Sequence, residues 1–149
     1  MVAAFLDTSC CVRRYVRSEP GAARVRSVCR LPGQNAILLA GVTLIEVASA
    51  LARKTREGAI QTTERDHLWR LFERHWRTQY QIIKMNSTVY TKAQQLMFRH
   101  PLRAYDALQL ASALTAQAAL QHTALQFWTA DRRQASAAEA EGLTVEFLS

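Results

Sequence analysis

Five short apolar runs alternate with helical stretches along 149 residues, and that alternation sharply limits the folds open to the chain. Residues 2–6, 36–40, 80–85, 124–128 and 143–148 are too short and too apolar for surface helices and read as buried strands. Between them the period changes. Helices are predicted at about 9–17, 20–30, 43–57, 62–78, 87–99, 102–120 and 132–141. In the third, Leu44, Val47 and Leu51 recur at helical spacing beside Ile45, Ala48 and Ala52. In the fourth, Leu68, Leu71, Phe72 and Trp76 form an apolar stripe opposite arginines. Pro20 suits a first helical turn, Gly33 marks a loop, and Gly58 and Gly142 stop helices. The 102–120 helix is apolar nearly all round in its first half, so it belongs near the centre. Strands that alternate with helices throughout predict an α/β fold, a mostly parallel sheet covered on both faces. No repeat, low-complexity tract or linker divides the chain, so residues 1–149 read as a single domain. A domain of that length buries roughly 70% of the surface its unfolded chain exposes.

Composition removes other classes. The hydrophobic fraction is 49%, that of a globular protein and not a disordered one. No run of about eighteen apolar residues predicts a membrane span. The N-terminus has no basic segment and meets Asp7 too early for a signal peptide, so a cytoplasmic location is expected. Cys10, Cys11 and Cys29 match no zinc or redox spacing and read as small buried thiols. The histidines are scattered; His67 and His75 lie two turns apart on one helix and read as a solvated or half-buried face. The net charge of +7 attracts polyanions, which gains meaning only beside a site for phosphate chemistry.

Four carboxylates supply such a site. Asp7 directly follows the first strand, and Asp131 follows the fourth. Glu46 stands in the first turn of the helix after the second strand, and Asp106 in the first turns of the helix after Pro101. In an open parallel sheet, the strand ends that feed helices share one edge, where ligands bind. Asp7, Glu46 and Asp131 are thus expected at one rim, joined by Asp106 if its helix starts there. Each acid also has an ordinary explanation as a helix cap. Thr43-Leu44-Ile45-Glu46 matches a capping box, and Asp7 and Asp131 each precede a helix. Their joint placement among apolar neighbours favours a cluster. Two carboxylates about 4 Å apart repel by roughly 4 kcal/mol at an effective dielectric of 20, so four need a cation or must take up protons. Oxygen-only ligands select hard ions such as Mg²⁺ or Mn²⁺, which activate water against phosphodiesters.

At these residues the chain resembles the PIN-domain ribonucleases, and among them the VapC-type toxins of bacterial toxin–antitoxin pairs. The segments that carry the resemblance are Leu6-Asp7-Thr8-Ser9, Thr43-Leu44-Ile45-Glu46-Val47, Arg103-Ala104-Tyr105-Asp106-Ala107-Leu108-Gln109-Leu110-Ala111 and Thr129-Ala130-Asp131-Arg132. Their order and spacing follow the family over essentially the whole chain. The resemblance implies a three-layer α/β/α fold, a homodimer, and Mg²⁺- or Mn²⁺-dependent cleavage of RNA to 5′-phosphate and 3′-hydroxyl ends. It also implies inhibition by a cognate antitoxin that lies across the toxin. Asp7, Glu46, Asp106 and Asp131 carry over as the acidic, metal-binding set. Thr8, Ser9 and Thr129 carry over as hydroxyls that orient carboxylates or water. Arg13, Arg14, Arg17, Arg132 and Arg133 are candidate RNA-phosphate contacts, against a solvated-face reading.

Rival readings fail on particular positions. A haloacid-dehalogenase-like phosphatase needs a second acid two residues after the first, where this chain has Ser9. A P-loop enzyme needs a Gly-rich loop ending in Lys-Ser/Thr, which is missing. A receiver-type phosphoacceptor needs adjacent acids after the first strand and a late lysine. The remaining alternative is a PIN-like RNA-binding or scaffold protein that does not cut; the presence of all four acids argues against it.

Overall fold

The computed structural model describes residues 2–30 and 34–149; the predicted loop residue Gly33 lies outside them. Strands β1 (Ala3–Leu6), β2 (Ala36–Ala40), β3 (Gln81–Ile83), β4 (Leu125–Thr129) and β5 (Thr144–Phe147) form one sheet in the order β3-β2-β1-β4-β5. Every pairing is parallel. The helices are α1 (Thr8–Tyr15), α2 (Ala22–Cys29), α3 (Thr43–Arg56), α4 (Thr62–Thr78), α5 (Ser87–Arg99), α6 (Ala104–Leu120) and α7 (Arg132–Ala140).

Because side chains alternate across a strand, each face of the sheet makes its own core. Ala4, Leu6, Ile37 and Leu39 pack against Cys10, Val25, Val47, Leu51 and Phe72 from α1–α4. Ala3, Phe5, Leu38, Ala40 and Phe127 pack against Val89, Leu96, Leu110, Ala113 and Ala137 from α5–α7, with the Phe5 and Phe127 rings stacked at 5.7 Å. The result is the three-layer α/β/α arrangement expected from the alternation. Helix α6 buries Ala107, Leu110, Ala111 and Ala113, as its apolar first half predicts.

The differences lie at element ends and have local causes. Helix α1 begins one residue earlier than predicted because Asp7 caps it, accepting a bond from the Cys10 amide. Pro20 stands outside α2. That helix starts after Gly21, whose φ of +81° only glycine adopts easily and where a Cβ would meet Leu148 at 3.2 Å. Helix α6 starts at Ala104, since Arg103, two residues after Pro101, is extended. Edge strand β3 keeps only three of the six predicted residues. Burial pushes the Cys29 thiol up to about 11 and raises Cys10 and Cys11 further, so all three are inert thiols, as read. His75 bonds the Tyr15 hydroxyl at 2.7 Å; burial, then Arg14 and Arg74, lower it to about 4, so it is neutral at pH 7. Among the described residues, no helix is long and apolar enough to cross a membrane.

Candidate active site

The sheet order makes a crevice. From β1 the chain builds β2 and β3 to one side, and later β4 and β5 to the other. Ligands bind at such a switch point, beyond the strands' carboxyl ends. Leu6 pairs with Trp128 in the β1–β4 ladder, so Asp7 and Thr129 emerge level with each other and Asp131 two residues further on.

Asp7 is only 4% exposed. Its Oδ1 accepts bonds from the Ser9 hydroxyl and the Cys10 amide, and Thr129 also supports it. Ser9 in turn accepts from the Ala130 amide at 3.0 Å, which ties the end of β1 to the end of β4. Burial raises the Asp7 pKa to about 6 against these bonds, and Asp106 pushes the same way. Asp106, half-buried in the first turn of α6, is itself raised by burial and then by Asp131 and Glu46. Asp7, Glu46 and Asp131 thus each lie within electrostatic reach of Asp106. Gln134 Nε2 donates to the Asp106 carbonyl at 3.0 Å, which pins α7 to the start of α6.

Glu46 makes no capping box. Val42, not Thr43, is the N-cap residue of α3, and the Thr43 hydroxyl is buried against Gln109 instead. The Glu46 Oε1 accepts from the Thr8 hydroxyl and from Gln109 Nε2, both at 2.8 Å. Asp131 does cap its helix: both the Arg133 and Gln134 amides bond its Oδ1.

Gln109 is a further member of the site. It is 2% exposed, and its Nε2 reaches Thr8 Oγ1 at 3.0 Å, Thr43 Oγ1 at 2.9 Å and Glu46 Oε1 at 2.8 Å. Two hydrogens serve three acceptors, so one is shared. Its Oε1 has no partner among the described residues, an arrangement that costs about 1–3 kcal/mol. A polar amide inside an otherwise apolar helix face was the available signal.

The arginines divide. Arg13 donates to the Pro20 carbonyl and lines a cleft with Thr8 and Ser9, next to the acids. Arg14 instead bonds the Tyr80 hydroxyl at 2.8 Å and lies over the Tyr15 and Tyr80 rings. With Arg17 it lines a groove shared with Arg26, Arg30 and His75, about 10 Å down α1 from Asp7. Arg132 lies over the Phe147 ring, and Arg133 is exposed.

Among the described residues no three Asp, Glu, His or Cys side chains close on one point. The donor set is all oxygen, mutually repulsive and open to water on the Asp106 and Asp131 side. That chemistry fits a hard divalent ion that keeps part of its water shell and takes one or two carboxylates directly.

Residues 4–140 match the family described as PIN domain, and the chain belongs to that family. No curated protein matches it. Among solved structures, it is similar to a chain of VapBC2 from Rickettsia felis bound to a DNA fragment from their promoter. The TM-score is 0.68 at 12% identity, over 99% of this chain and 100% of that one. VapBC-1 from nontypeable Haemophilus influenzae gives 0.64 at 11% identity over 98% of each chain. A toxin–antitoxin complex from Klebsiella pneumoniae gives 0.58 at 20% over 88% of each. At these identities the likeness is one of fold.

The raised Asp7 pKa sets a pH dependence. Between the unfolded value of 3.8 and about 6, the native state binds the extra proton, so metal-free stability falls as pH rises through this window. The full shift corresponds to about 3 kcal/mol. Asp7→Asn keeps a cap acceptor and abolishes the titration. Urea unfolding in chelator is expected to show the wild type losing stability relative to Asp7→Asn from pH 4 to pH 6.5. Parallel pH profiles would remove Asp7 from a buried, repulsive site.

Proposed function

We propose that this chain is a Mg²⁺- or Mn²⁺-dependent ribonuclease that serves as the toxin of a toxin–antitoxin pair. The observation that carries the reading is the placement of Asp7 and Asp131 just beyond the carboxyl ends of β1 and β4, with Asp106 within electrostatic reach of Asp7, Asp131 and Glu46, in a chain of net charge +7. PIN membership and the toxin–antitoxin complexes among the structural neighbours support it.

Asp7, Asp106 and Glu46 would hold the ion directly or through water, and Asp131 would hold a second ion or a water. Such an ion would supply charge neutralisation and lower the pKa of a bound water toward neutrality. The chain's own residues prepare that step. Ser9 and the Cys10 amide fix Asp7 Oδ1. Thr8 and Gln109 fix Glu46 Oε1, which leaves Oε2 as the oxygen free to face the ion. Asp131 spends Oδ1 on its helix and keeps Oδ2 for the site. The products are 5′-phosphate and 3′-hydroxyl ends. An antitoxin covering this rim silences the enzyme, which acts in the cytoplasm as a homodimer.

Cleavage of single-stranded RNA is expected to require Mg²⁺ or Mn²⁺, to stop with chelator, and to fall roughly a hundredfold or more in Asp7→Asn and Asp106→Asn. Variants that are folded by circular dichroism yet cut at the wild-type rate would refute the assignment. Tight RNA binding with no cleavage in any divalent ion would instead indicate a non-cutting scaffold.

Gln109 is a positioning residue in this scheme, and a double-mutant cycle tests it. Gln109→Met removes the amide while nearly keeping its volume, so the melting temperature is expected to stay within a few degrees. Mn²⁺ affinity by calorimetry is expected to fall about tenfold. In a Glu46→Gln background the same change is expected to cause no further loss. Additive losses would mean that Gln109 supports the fold and not Glu46.

A further inference from the structure

Beside the carboxylates lies a cleft of about 280 Å³, lined by Thr8, Ile45, Glu46, Ser49, Ala50, Arg53 and Tyr105. Its floor is one face of α3. Glu46, Ser49, Ala50 and Arg53 recur at i, i+3, i+4 and i+7, so they stand in a row along the helix. Arg53 is about 10 Å beyond Glu46 on that row, and the small Ser49 and Ala50 between them leave the hollow. Ile45, on α3 itself, and Tyr105, at the start of α6, stand beside it.

Among the described residues the exposed large apolar side chains are Tyr90, Met97 and Phe98, all on α5, and these two, which alone flank the carboxylates. Ile45 is 64% and Tyr105 54% exposed, and each immediately precedes a carboxylate of the cluster, Glu46 and Asp106. Their apolar surface adds little to either core, so the fold alone does not explain them. Arg53 forms no ion pair among the described residues, whereas the next residue, Lys54, is paired with Glu19.

From this juxtaposition we infer that the cleft binds one unpaired nucleotide of the RNA, with its base on the Tyr105 ring beside Ile45 and its outer phosphate on Arg53. The inference rests on the ribonuclease reading and deepens it by naming the side chains that seat the substrate beside the acids. The chemistry matches part by part. A base offers a flat apolar face, which stacks on an aromatic ring whatever its sequence. A phosphate seeks an unpaired guanidinium, and Ser49 offers a hydroxyl to the ribose. A base held in a duplex is already stacked and paired, so it cannot lie on a side chain. The cleft shares Thr8 and Glu46 with the carboxylate cluster, so a nucleotide seated there presents its neighbouring phosphodiester to the acids.

The test is fluorescence anisotropy in Mg²⁺ with a roughly twelve-nucleotide labelled RNA, single-stranded or annealed to its complement, and full-length protein blocked by Asp7→Asn. Tyr105→Ala is expected to weaken single-strand binding about tenfold, Tyr105→Phe to keep it within about twofold, and neither to change duplex binding. In otherwise wild-type protein, Tyr105→Ala is expected to raise KM and leave kcat nearly unchanged. Single-strand affinity indifferent to Tyr105→Ala, or a loss as large in Tyr105→Phe, overturns the inference while leaving the nuclease standing. A change in particle mass by light scattering with RNA affinity unaltered would assign Ile45 and Tyr105 to a protein interface instead. Failure of the blocked parent to bind any RNA would overturn both this inference and the ribonuclease reading.

Discussion

The end of the central strand holds a carboxylate where burial disfavours its charge. Asp7 leaves β1 with 4% of its surface exposed, and burial raises its pKa to about 6. Near neutral pH it is therefore charged in a place that disfavours charge, with Asp106 adding repulsion. The Ser9 hydroxyl, the Cys10 amide and Thr129 offset part of this but not all, since the net shift remains upward. What stays uncompensated is the cost of a buried charge at the end of β1, and it is this that a divalent ion would relieve.

The fold holds the strain with parts that do two jobs. Asp7 and Asp131 are both site acids and N-caps, so their orientation is set by helix amides that need an acceptor in any case. Ser9 joins Asp7 to the backbone of the β4 side. Gln109 projects from the interior of α6 to hold Glu46, at the expense of an orphaned buried oxygen. A core built for stability alone would place an aliphatic side chain there. Retaining the amide sacrifices stability for geometry, as binding sites commonly do.

Much of this was legible in the chain. Alternating apolar runs and helical periods predict the five strands, the seven helices and the parallel sheet, because burial on both faces leaves a strong local signature. Positions just after strands bring Asp7 and Asp131 together by topology alone. Glu46 was ambiguous because Thr43 and Glu46 have the spacing of a capping box; only Gln109, 63 residues beyond Glu46, decides against it by taking the Thr43 hydroxyl. The role of Gln109 was hidden for the same reason: a lone amide in an apolar helix is meaningful only once Thr8, Thr43 and Glu46 surround it. Arg14 has the same local setting as Arg13 and Arg17; only Tyr80, in the link between α4 and β3, sets it apart by accepting from its guanidinium. Element ends drifted where Gly21 and Pro101 impose backbone geometry that apolar periodicity does not carry.

A cation site shared by Asp7, Glu46, Asp106 and Asp131 responds to a divalent ion, whereas acids that serve only their own helices do not. Thermal melts of wild type and Asp106→Asn, with and without millimolar Mn²⁺, separate the two. A ligand bound only by the native state at a hundred times its Kd contributes about 2.7 kcal/mol, or roughly 5–10 °C for a chain of this size. For a shared cation site, Mn²⁺ is expected to raise the wild-type melting temperature by that much beyond NaCl of equal ionic strength. Metal-free Asp106→Asn is expected to melt above wild type, because a like charge is gone, and to respond less to Mn²⁺. A wild-type curve indifferent to Mn²⁺, with Asp106→Asn melting lower in both buffers, would contradict it.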